Sequence, residues 1–179
     1  MRSWIVQLFL LIAVASGPAL AADPDMTREI VAHAERMCLA EALYFEAGEE
    51  GEEGMRAVAE VIFRRHDEGY GRSICRVVYQ GEFKKVCQFS FACDGARRRP
   101  RGSVLWKQAW RLAGEFIAGR KAVMEKNTTQ GATYFHAVTV SPGWEKKGLV
   151  RTVQIGNHVF YRDRLPTDPP YVEPPAPAQ

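Results

Sequence analysis

Apolar residues recur at helical spacing in the first half of the chain. Leu39, Ala42 and Leu43 take positions i, i+3 and i+4 of one stretch, and Glu46 takes position i+7, where the apolar stripe would continue. Partial burial disfavours the charged form of a carboxyl group, which suits a general acid. Glu46 is therefore the first candidate catalytic residue. A solvated charge at a helix end is the alternative interpretation of the same position.

The same periodicity, together with helix caps and stop signals, predicts the other elements of a mostly helical α+β domain. The predicted helices run from Asp23 to about Phe45, from about Glu52 to His66 and from Val104 to Gly119. The segment from Ser73 to Gln80 fits a short helix or a strand, and its apolar spacing favours the helix. Two runs of β-forming residues, ATYFHAVTV and VQIGNHVFYR, predict a small β element near the end of the domain. Residues 82–94 follow neither period, which indicates an ordered loop suited to carrying binding groups.

Both ends of the chain differ from this pattern. Arg2, the apolar run from Ile5 to Val14 and the small residues at Ala19 and Ala21 predict a secretory signal in residues 1–22. An uncleaved membrane anchor is the weaker alternative, because the run is shorter than the ~20 residues of a spanning helix and Gly17-Pro18 interrupts it. No stable membrane anchor is expected after cleavage. Six of the ten prolines lie in residues 166–179, which predicts a flexible tail that could meet a protein partner. A single domain of residues 23–165 is expected between these segments, in a secreted, periplasmic protein.

Charge and cysteine content narrow the function classes. Arg2 is the one charged residue in residues 1–22, so their removal lowers the net charge from +3 to +2. This small net charge indicates no strongly charged partner. The basic loop 97–101 is interpreted as a solvated surface loop, and no nucleic-acid partner is predicted. An exported protein favours disulfides over a metal site. Four cysteines allow three pairings, and proximity favours one bond inside CQFSFAC, which leaves the other two to pair. The four are Cys38, Cys75, Cys87 and Cys93.

Six segments in a fixed order carry a resemblance to a known family. They are CLAEALYFEA, GMRAVAEVIFRR, SICRVVYQ, CQFSFACDG, GATYFHA and IGNHVFYR, and they cover about Cys38 to Arg162. This order resembles the SleB/CwlJ-type cell wall hydrolases. The resemblance implies a lysozyme-like fold, mostly helical with a small antiparallel β element. It also implies cleavage of the MurNAc–GlcNAc bond in peptidoglycan. No cofactor is expected, and the spacing of the cysteines and histidines fits no zinc site.

The resemblance assigns the catalytic role to Glu46, which matches the first glutamate of the family's YxEARGE motif. Common glycoside hydrolysis needs two carboxylates, and Asp94, Glu41 and Glu50 are the candidates for a second one. A lytic transglycosylase needs one alone, because the same glutamate protonates the glycosidic oxygen and then deprotonates the sugar's own C6 hydroxyl. The single-carboxyl route is therefore the expected mechanism.

Five further residues are predicted to bind the glycan strand through hydrogen bonds and stacking. They are Gln88, Ser90, Tyr134, His136 and Tyr161. Tyr134 and His136 alternate along one predicted strand and so share a face. A satisfied structural role is the alternative for each of these side chains.

The chain departs from the family pattern near the expected site. The family's EARGE reads EAGEE here, without the arginine, and its THYH reads TYFH, without one histidine. A non-catalytic relative that binds glycan strands or scaffolds cell wall machinery is therefore the alternative function. Calcium binding by GEEGEEG is disfavoured, because the turn lacks the aspartate-rich spacing of a calcium loop.

Overall fold

The computed structural model of the chain describes residues 23–82, 87–93, 102–146 and 148–170. Several sequence predictions fall on residues outside these ranges. They are the signal in residues 1–22, the role of Asp94, the basic loop 97–101 and residues 171–179 of the tail.

Five α-helices occur in the described ranges. They are α1 (Pro24–Ala47), α2 (Gly51–Asp67), α3 (Ile74–Val78), α4 (Val104–Ala118) and α5 (Arg120–Lys126). Side-chain caps explain three of the starts, because Asp23, Ser73 and Ser103 each accept a hydrogen bond from a backbone N–H in the first turn of their helix. The first four helices end within two residues of the predicted positions. Helix α5 was not predicted.

Helix α2 lies between the helical core and the sheet. Its residues Met55, Val58 and Ile62 are fully buried and join the core that α1, α3 and α4 also line. Its residues Ala57 and Val61 are buried in a second cluster, against residues of the sheet. One helix therefore holds the end of α1 and the sheet in a fixed relation.

The sheet has three antiparallel strands in the order β1–β3–β2, within the described ranges. They are β1 (Tyr134–Ala137), β2 (Val150–Ile155) and β3 (His158–Arg162). The segment VQIGNHVFYR is therefore two strands joined by a turn at Gly156 and Asn157, where a single β run was expected. The mostly helical α+β fold class is confirmed. The likeness to lysozyme stays a prediction.

Two buried polar side chains of α2 fix the chain that enters β1. The carboxylate Oε1 of Glu60 accepts hydrogen bonds from the backbone N and Oγ1 of Thr129, at 3.2 and 2.5 Å. The guanidinium of Arg65 donates to the carbonyl oxygen of Thr133 at 3.0 Å. These bonds set the position of β1 relative to α2.

The structure contains two disulfides, and they join the cysteines as proximity suggested. Cys38 of α1 is bonded to Cys75 of α3, with 5.1 Å between the Cα atoms. Cys87 and Cys93 close the short loop that contains the 3₁₀ helix Ser90–Ala92. All four cysteine sulfur atoms are therefore in disulfide bonds and do not bind a metal as thiolates.

The described beginning of the proline-rich segment is tied to the sheet. Both oxygens of the Asp168 carboxylate accept hydrogen bonds from the guanidinium of Arg162, at 2.5 and 2.7 Å. This pairing holds the pKa of Asp168 well below its usual range. Ordered contacts thus continue past residue 165, the predicted end of the domain. None of the helices in the part of the chain that the structure describes is long and apolar enough to cross a membrane.

Candidate active site

Glu46 lies one residue before the end of α1, at the edge of a cavity of about 380 Å³. The apolar stripe that leads to it is fully buried, whereas Glu46 itself is half-buried. Glu49, Glu50 and Leu105 line the same cavity. The carboxyl group of Glu46 thus follows a buried, well-packed stretch of α1 and lies at a cavity large enough for part of a sugar chain.

The turn after Glu46 has no room for the side chain that the EARGE pattern carries. Gly48 stands where that pattern has arginine, and a Cβ built on it would lie 2.5 Å from the carbonyl oxygen of Tyr44. A glycine is therefore required by this path of the backbone. The glycine at the arginine position therefore matches the tight path of the chain after α1.

Two of the three candidates for a second carboxylate have structural partners. Glu50 accepts hydrogen bonds from the backbone N and the side-chain Nδ2 of Asn157, at 3.0 and 2.9 Å. Glu41 is buried in α1, and its Oε2 accepts a hydrogen bond from the hydroxyl of Tyr79. The third candidate, Asp94, lies outside the described residues. Glu49 is exposed and lines the same cavity as Glu46.

A second cavity, of about 470 Å³, lies beside the sheet. Three of the predicted glycan-binding residues line it, namely Gln88, Tyr134 and His136. Tyr161 is buried and does not line this cavity, but it pairs with Tyr134 across β1 and β3, and paired residues point to the same face of the sheet. Ser90 is exposed and does not line either of these two cavities.

His136 and Tyr161 form a hydrogen-bonded, stacked pair. The Nδ1 of His136 lies 2.9 Å from the carbonyl oxygen of Ala137, and its Nε2 lies 3.1 Å from the Tyr161 hydroxyl. A carbonyl oxygen only accepts, so Nδ1 carries a proton and donates to Ala137, and Nε2 is the nitrogen that contacts the tyrosine hydroxyl. Burial raises the pKa of Tyr161, so its hydroxyl keeps its proton at neutral pH.

Tyr134 uses its hydroxyl differently. Its hydroxyl lies 3.2 Å from the hydroxyl of Tyr70 and 3.3 Å from Oδ2 of Asp163. Burial and the bond to Tyr70 raise the pKa of Tyr134 well above its ordinary value. The hydroxyl therefore has structural partners, and the ring is the part of Tyr134 that can serve the cavity.

Aromatic rings connect the two cavities. Phe45, next to Glu46, stacks on Phe91 with 4.8 Å between the centroids. Phe91 lies 6.3 Å from Phe89, and Phe89 lies 6.0 Å from Phe135 of β1. The loop closed by Cys87 and Cys93 thus packs between the end of α1 and the sheet, so both cavities are anchored to the same rigid ring cluster.

Comparison with known protein families matches residues 49–161 to the family described as "Cell Wall Hydrolase". The match spans 113 of the 179 residues. The chain belongs to the cell wall hydrolase family. Neither the curated proteins nor the solved structures give a significant match.

Membership makes the chain a hydrolase of the cell wall, which indicates peptidoglycan hydrolysis and an extracytoplasmic protein. The matched residues include those that line the second cavity and the hydrogen-bonded pair Glu50 and Asn157. The match begins three residues after Glu46. The sequence resemblance to the SleB-type family is confirmed. The role of Glu46 depends on its own geometry and on the YxEARGE resemblance.

The hydrolase has an aromatic residue at the second cavity that the sequence interpretation missed. Trp144 belongs to the 3₁₀ helix Trp144–Lys146 between β1 and β2. Its ring centroid lies 5.5 Å from that of His136, 5.6 Å from that of Tyr161 and 5.9 Å from that of Tyr134. Its sequence signal is a lone tryptophan in SPGWEKKG, the segment that follows the β-forming run ATYFHAVTV.

Glu145 follows Trp144 and braces the same segment. The hydroxyl of Ser141 donates to its Oε1 at 2.5 Å, and this bond lowers the pKa of Glu145. The segment between β1 and β2 therefore has its own internal contact, which helps hold Trp144 against the sheet. In the described ranges, no group of three or more His, Cys, Asp or Glu side chains could hold a metal ion.

Proposed function

We propose that this hydrolase cleaves the MurNAc–GlcNAc bond of peptidoglycan as a lytic transglycosylase. The observation that carries the proposal is the position of Glu46, half-buried at the end of α1 and open to a cavity of about 380 Å³. Partial desolvation favours the protonated form of a carboxyl group, and the open side gives a glycosidic oxygen access to it.

The proposed reaction uses one carboxyl group twice. Glu46 donates its proton to the glycosidic oxygen as the bond from that oxygen to C1 of MurNAc breaks. The carboxylate then takes the proton of the C6 hydroxyl of the same MurNAc, whose oxygen bonds to C1. The product is a 1,6-anhydro sugar, water is not consumed, and Glu46 returns to its protonated form.

The engagement of other carboxylates supports a single-carboxyl mechanism. A hydrolase with two carboxylates needs a second one beside the scissile bond, as nucleophile or as base. Glu50 and Glu41 are hydrogen-bonded to Asn157 and Tyr79. Glu49 is exposed at the same cavity as Glu46. It is therefore the carboxylate, within the described residues, that a two-carboxylate hydrolytic mechanism would use.

The proposed glycan contacts come from the second cavity. The rings of Tyr134 and Trp144 offer stacking surfaces for sugar rings, and Gln88 offers amide hydrogen bonds. His136 and Tyr161 supply a polar pair beside them. Ser90 is not part of this contact set.

We further propose that the protein is secreted to the periplasm and acts there on glycan strands. The two disulfides support an oxidising compartment. No nucleic-acid partner is proposed.

Mass spectrometry of the soluble products released from purified peptidoglycan tests the proposal. The native protein should release anhydro-muropeptides, and Glu46→Gln should lower the rate about 10²- to 10⁴-fold, the usual contribution of general acid–base catalysis. Glu49→Gln is the matched control at the same cavity, and it should keep both the rate and the anhydro product.

Other results would point elsewhere. Reducing-end products that disappear in Glu49→Gln would replace the transglycosylase with a two-carboxylate hydrolase. Co-sedimentation with peptidoglycan without any product, in native protein and Glu46→Gln alike, would favour the non-catalytic glycan-binding alternative.

A further inference from the structure

A single carboxylate joins the turn after α1 to the hairpin of the sheet. Glu50 lies four residues after Glu46, at the N-cap position of α2, and its side chain makes no capping hydrogen bond to that helix. Its Oε2 accepts from the backbone N of Asn157 at 3.0 Å, and its Oε1 accepts from the Nδ2 of the same residue at 2.9 Å. The two residues are 107 positions apart in the chain. Because both donors belong to one residue, the carboxylate fixes the backbone and the side chain of the hairpin turn together.

Glycines on both sides keep the space that this contact needs. Gly156, in the hairpin turn, has φ of +52°, and a Cβ built on it would overlap Oε2 of Glu50. Gly54, one turn into α2, leaves room for the Cβ of Glu50 in the same way. The contact is therefore built from three segments of the chain.

The clamped turn leads directly into the strand that carries part of the proposed glycan site. His158, the next residue, is 7% exposed and packs edge-on against Phe135 of β1. Tyr161 follows three residues later on β3, the central strand, with its hydroxyl against His136. A shift of the turn would therefore move β3 relative to the end of α1.

We propose that Glu50 is a positioning residue. It holds the β2–β3 hairpin, which carries part of the proposed glycan site, at a fixed position relative to Glu46. This inference rests on the proposed function. The glycan contacts and the acid lie on separate elements, so loss of the clamp leaves both present but misaligned. Small misplacements of a bound substrate from a catalytic group cost about 10²-fold in rate. The expected signature is a lower kcat with little change in KM.

Hydrogen-bond polarity gives a sharp test. Glu50→Ala removes both acceptors. Glu50→Gln alone is not a disrupting variant, because the Asn157 amide can turn over and accept from the introduced amide nitrogen. In Asn157→Asp, two carboxylates face each other. In the double variant of Glu50→Gln with Asn157→Asp, the introduced amide nitrogen at position 50 donates to the introduced carboxylate at position 157, and both hydrogen bonds return. Glu53→Gln, an exposed position of the same helix, is the matched control.

The measurements are kcat and KM on soluble glycan strands, and hydrogen exchange of the Asn157 amide. Glu50→Ala and Asn157→Asp should each lower kcat about 10- to 100-fold, keep KM within about threefold and lose protection at that amide. The double variant should recover both the protection and most of kcat, and Glu53→Gln should match the native protein. Thermal unfolding of each variant is the control for folding, and the assay temperature is set below the unfolding transition of every variant.

Three outcomes overturn the inference. Native kcat in a single variant that has lost amide protection would make the clamp structural only. Failure of the double variant to recover kcat while it recovers protection would assign the effect to the charge of Glu50 itself. Native amide protection in Glu50→Ala would show that the contact does not fix the turn. The proposed function fails separately, when Glu46→Gln keeps native turnover, and amide exchange still reports on the clamp in that case.

Discussion

The imidazole of His136 lies face to face with the ring of Tyr161, with 5.2 Å between the centroids and 21° between the planes. The Nε2 of His136 is 3.1 Å from the tyrosine hydroxyl. This pair is built by the strand register, because the two residues lie on neighbouring strands and on the same face. It places a hydroxyl and an imidazole side by side at the proposed glycan site.

Tyr161→Phe should therefore weaken substrate binding while it keeps the stacked ring. The substitution removes the hydroxyl that lies 3.1 Å from Nε2 of His136, so this cavity-lining imidazole loses a bond that holds it in place. A typical net hydrogen bond is about 0.5–1.5 kcal/mol, so KM should rise about 2- to 10-fold. The measurement is KM on soluble glycan strands.

Tyr134→Phe is the matched control for that prediction. The hydroxyl of Tyr134 bonds to Tyr70 and Asp163, so its loss should lower the free energy of unfolding by about 1 kcal/mol and leave KM unchanged. A larger effect on KM in Tyr134→Phe than in Tyr161→Phe would contradict this division of roles.

The two disulfides should differ in their contributions to stability. The bond between Cys38 and Cys75 closes 37 residues, and the bond between Cys87 and Cys93 closes six. The loop-entropy relation gives about 4 kcal/mol for the longer loop and about 2 kcal/mol for the shorter. Urea unfolding of the two double-alanine variants measures both values.

The losses of glycan affinity in the two disulfide variants should have the opposite order to their losses of stability. Cys87 lines the second cavity beside Gln88, whereas Cys38 and Cys75 are part of or packed against the helical core. Glycan affinity should therefore fall more in the variant without the shorter disulfide. Equal affinity in both variants would show that this loop does not need its covalent closure to form the site.

Arg65 should be the most sensitive charged side chain of α2. Its side chain is 2% exposed, donates to the carbonyl oxygen of Thr133 and to Oε1 of Gln80, and lies 4.2 Å over the ring of Tyr70. Burial lowers the pKa of Arg65 from an ordinary value so high that the group stays charged at neutral pH.

Arg65→Met should lower the free energy of unfolding by about 3 kcal/mol, because hydrogen bonds of a charged group are lost and their acceptors stay buried. Arg65→Lys should recover part of that loss, since it keeps the charge without the guanidinium fork. Arg72→Met, at an exposed position, should change the free energy by less than about 0.5 kcal/mol. Chemical denaturation compares the three, and equal values for Arg65→Met and Arg72→Met would contradict the buried role.

The long helices could be predicted from the sequence because their signals are local. Buried positions at i, i+3 and i+4 and the caps at Asp23 and Ser103 fix their faces and starts. Helix α5 carries no such pattern, since Val123 is its only buried residue among seven. It was missed because Gly119 was interpreted as a stop, and the chain starts a new helix directly after it.

The arrangement of the site could be predicted only in part. Alternation placed Tyr134 and His136 on one face, but the partner Tyr161 required the register of β1 against β3. The hairpin turn had a local signal, a Gly-Asn pair between two β-forming runs, which the interpretation of VQIGNHVFYR as one run passed over. The contact of Glu50 with Asn157 has no local signal, since only the fold brings those segments together.

His158 should make the stability of the domain depend on pH between neutral and mildly acidic conditions. Its side chain is buried, and Nδ1 has no hydrogen-bond partner among the described residues. Burial lowers the pKa of His158, the charge of Glu50 opposes that shift and His136 adds to it. In the unfolded chain the histidine regains its ordinary pKa of about 6.5.

The unfolded state therefore binds more protons than the folded state between the two pKa values. Stability is complete above the unfolded pKa and falls as pH drops toward the folded pKa, by at most about 1.4 kcal/mol per pH unit. Urea unfolding at pH 7.5 and at pH 5.5 should show a larger loss for the native protein than for His158→Gln. His33→Gln, at an exposed position of α1, should keep the native dependence. If His158→Gln keeps it as well, another group sets the pH response, and His158 is then protonated in the folded domain at little cost.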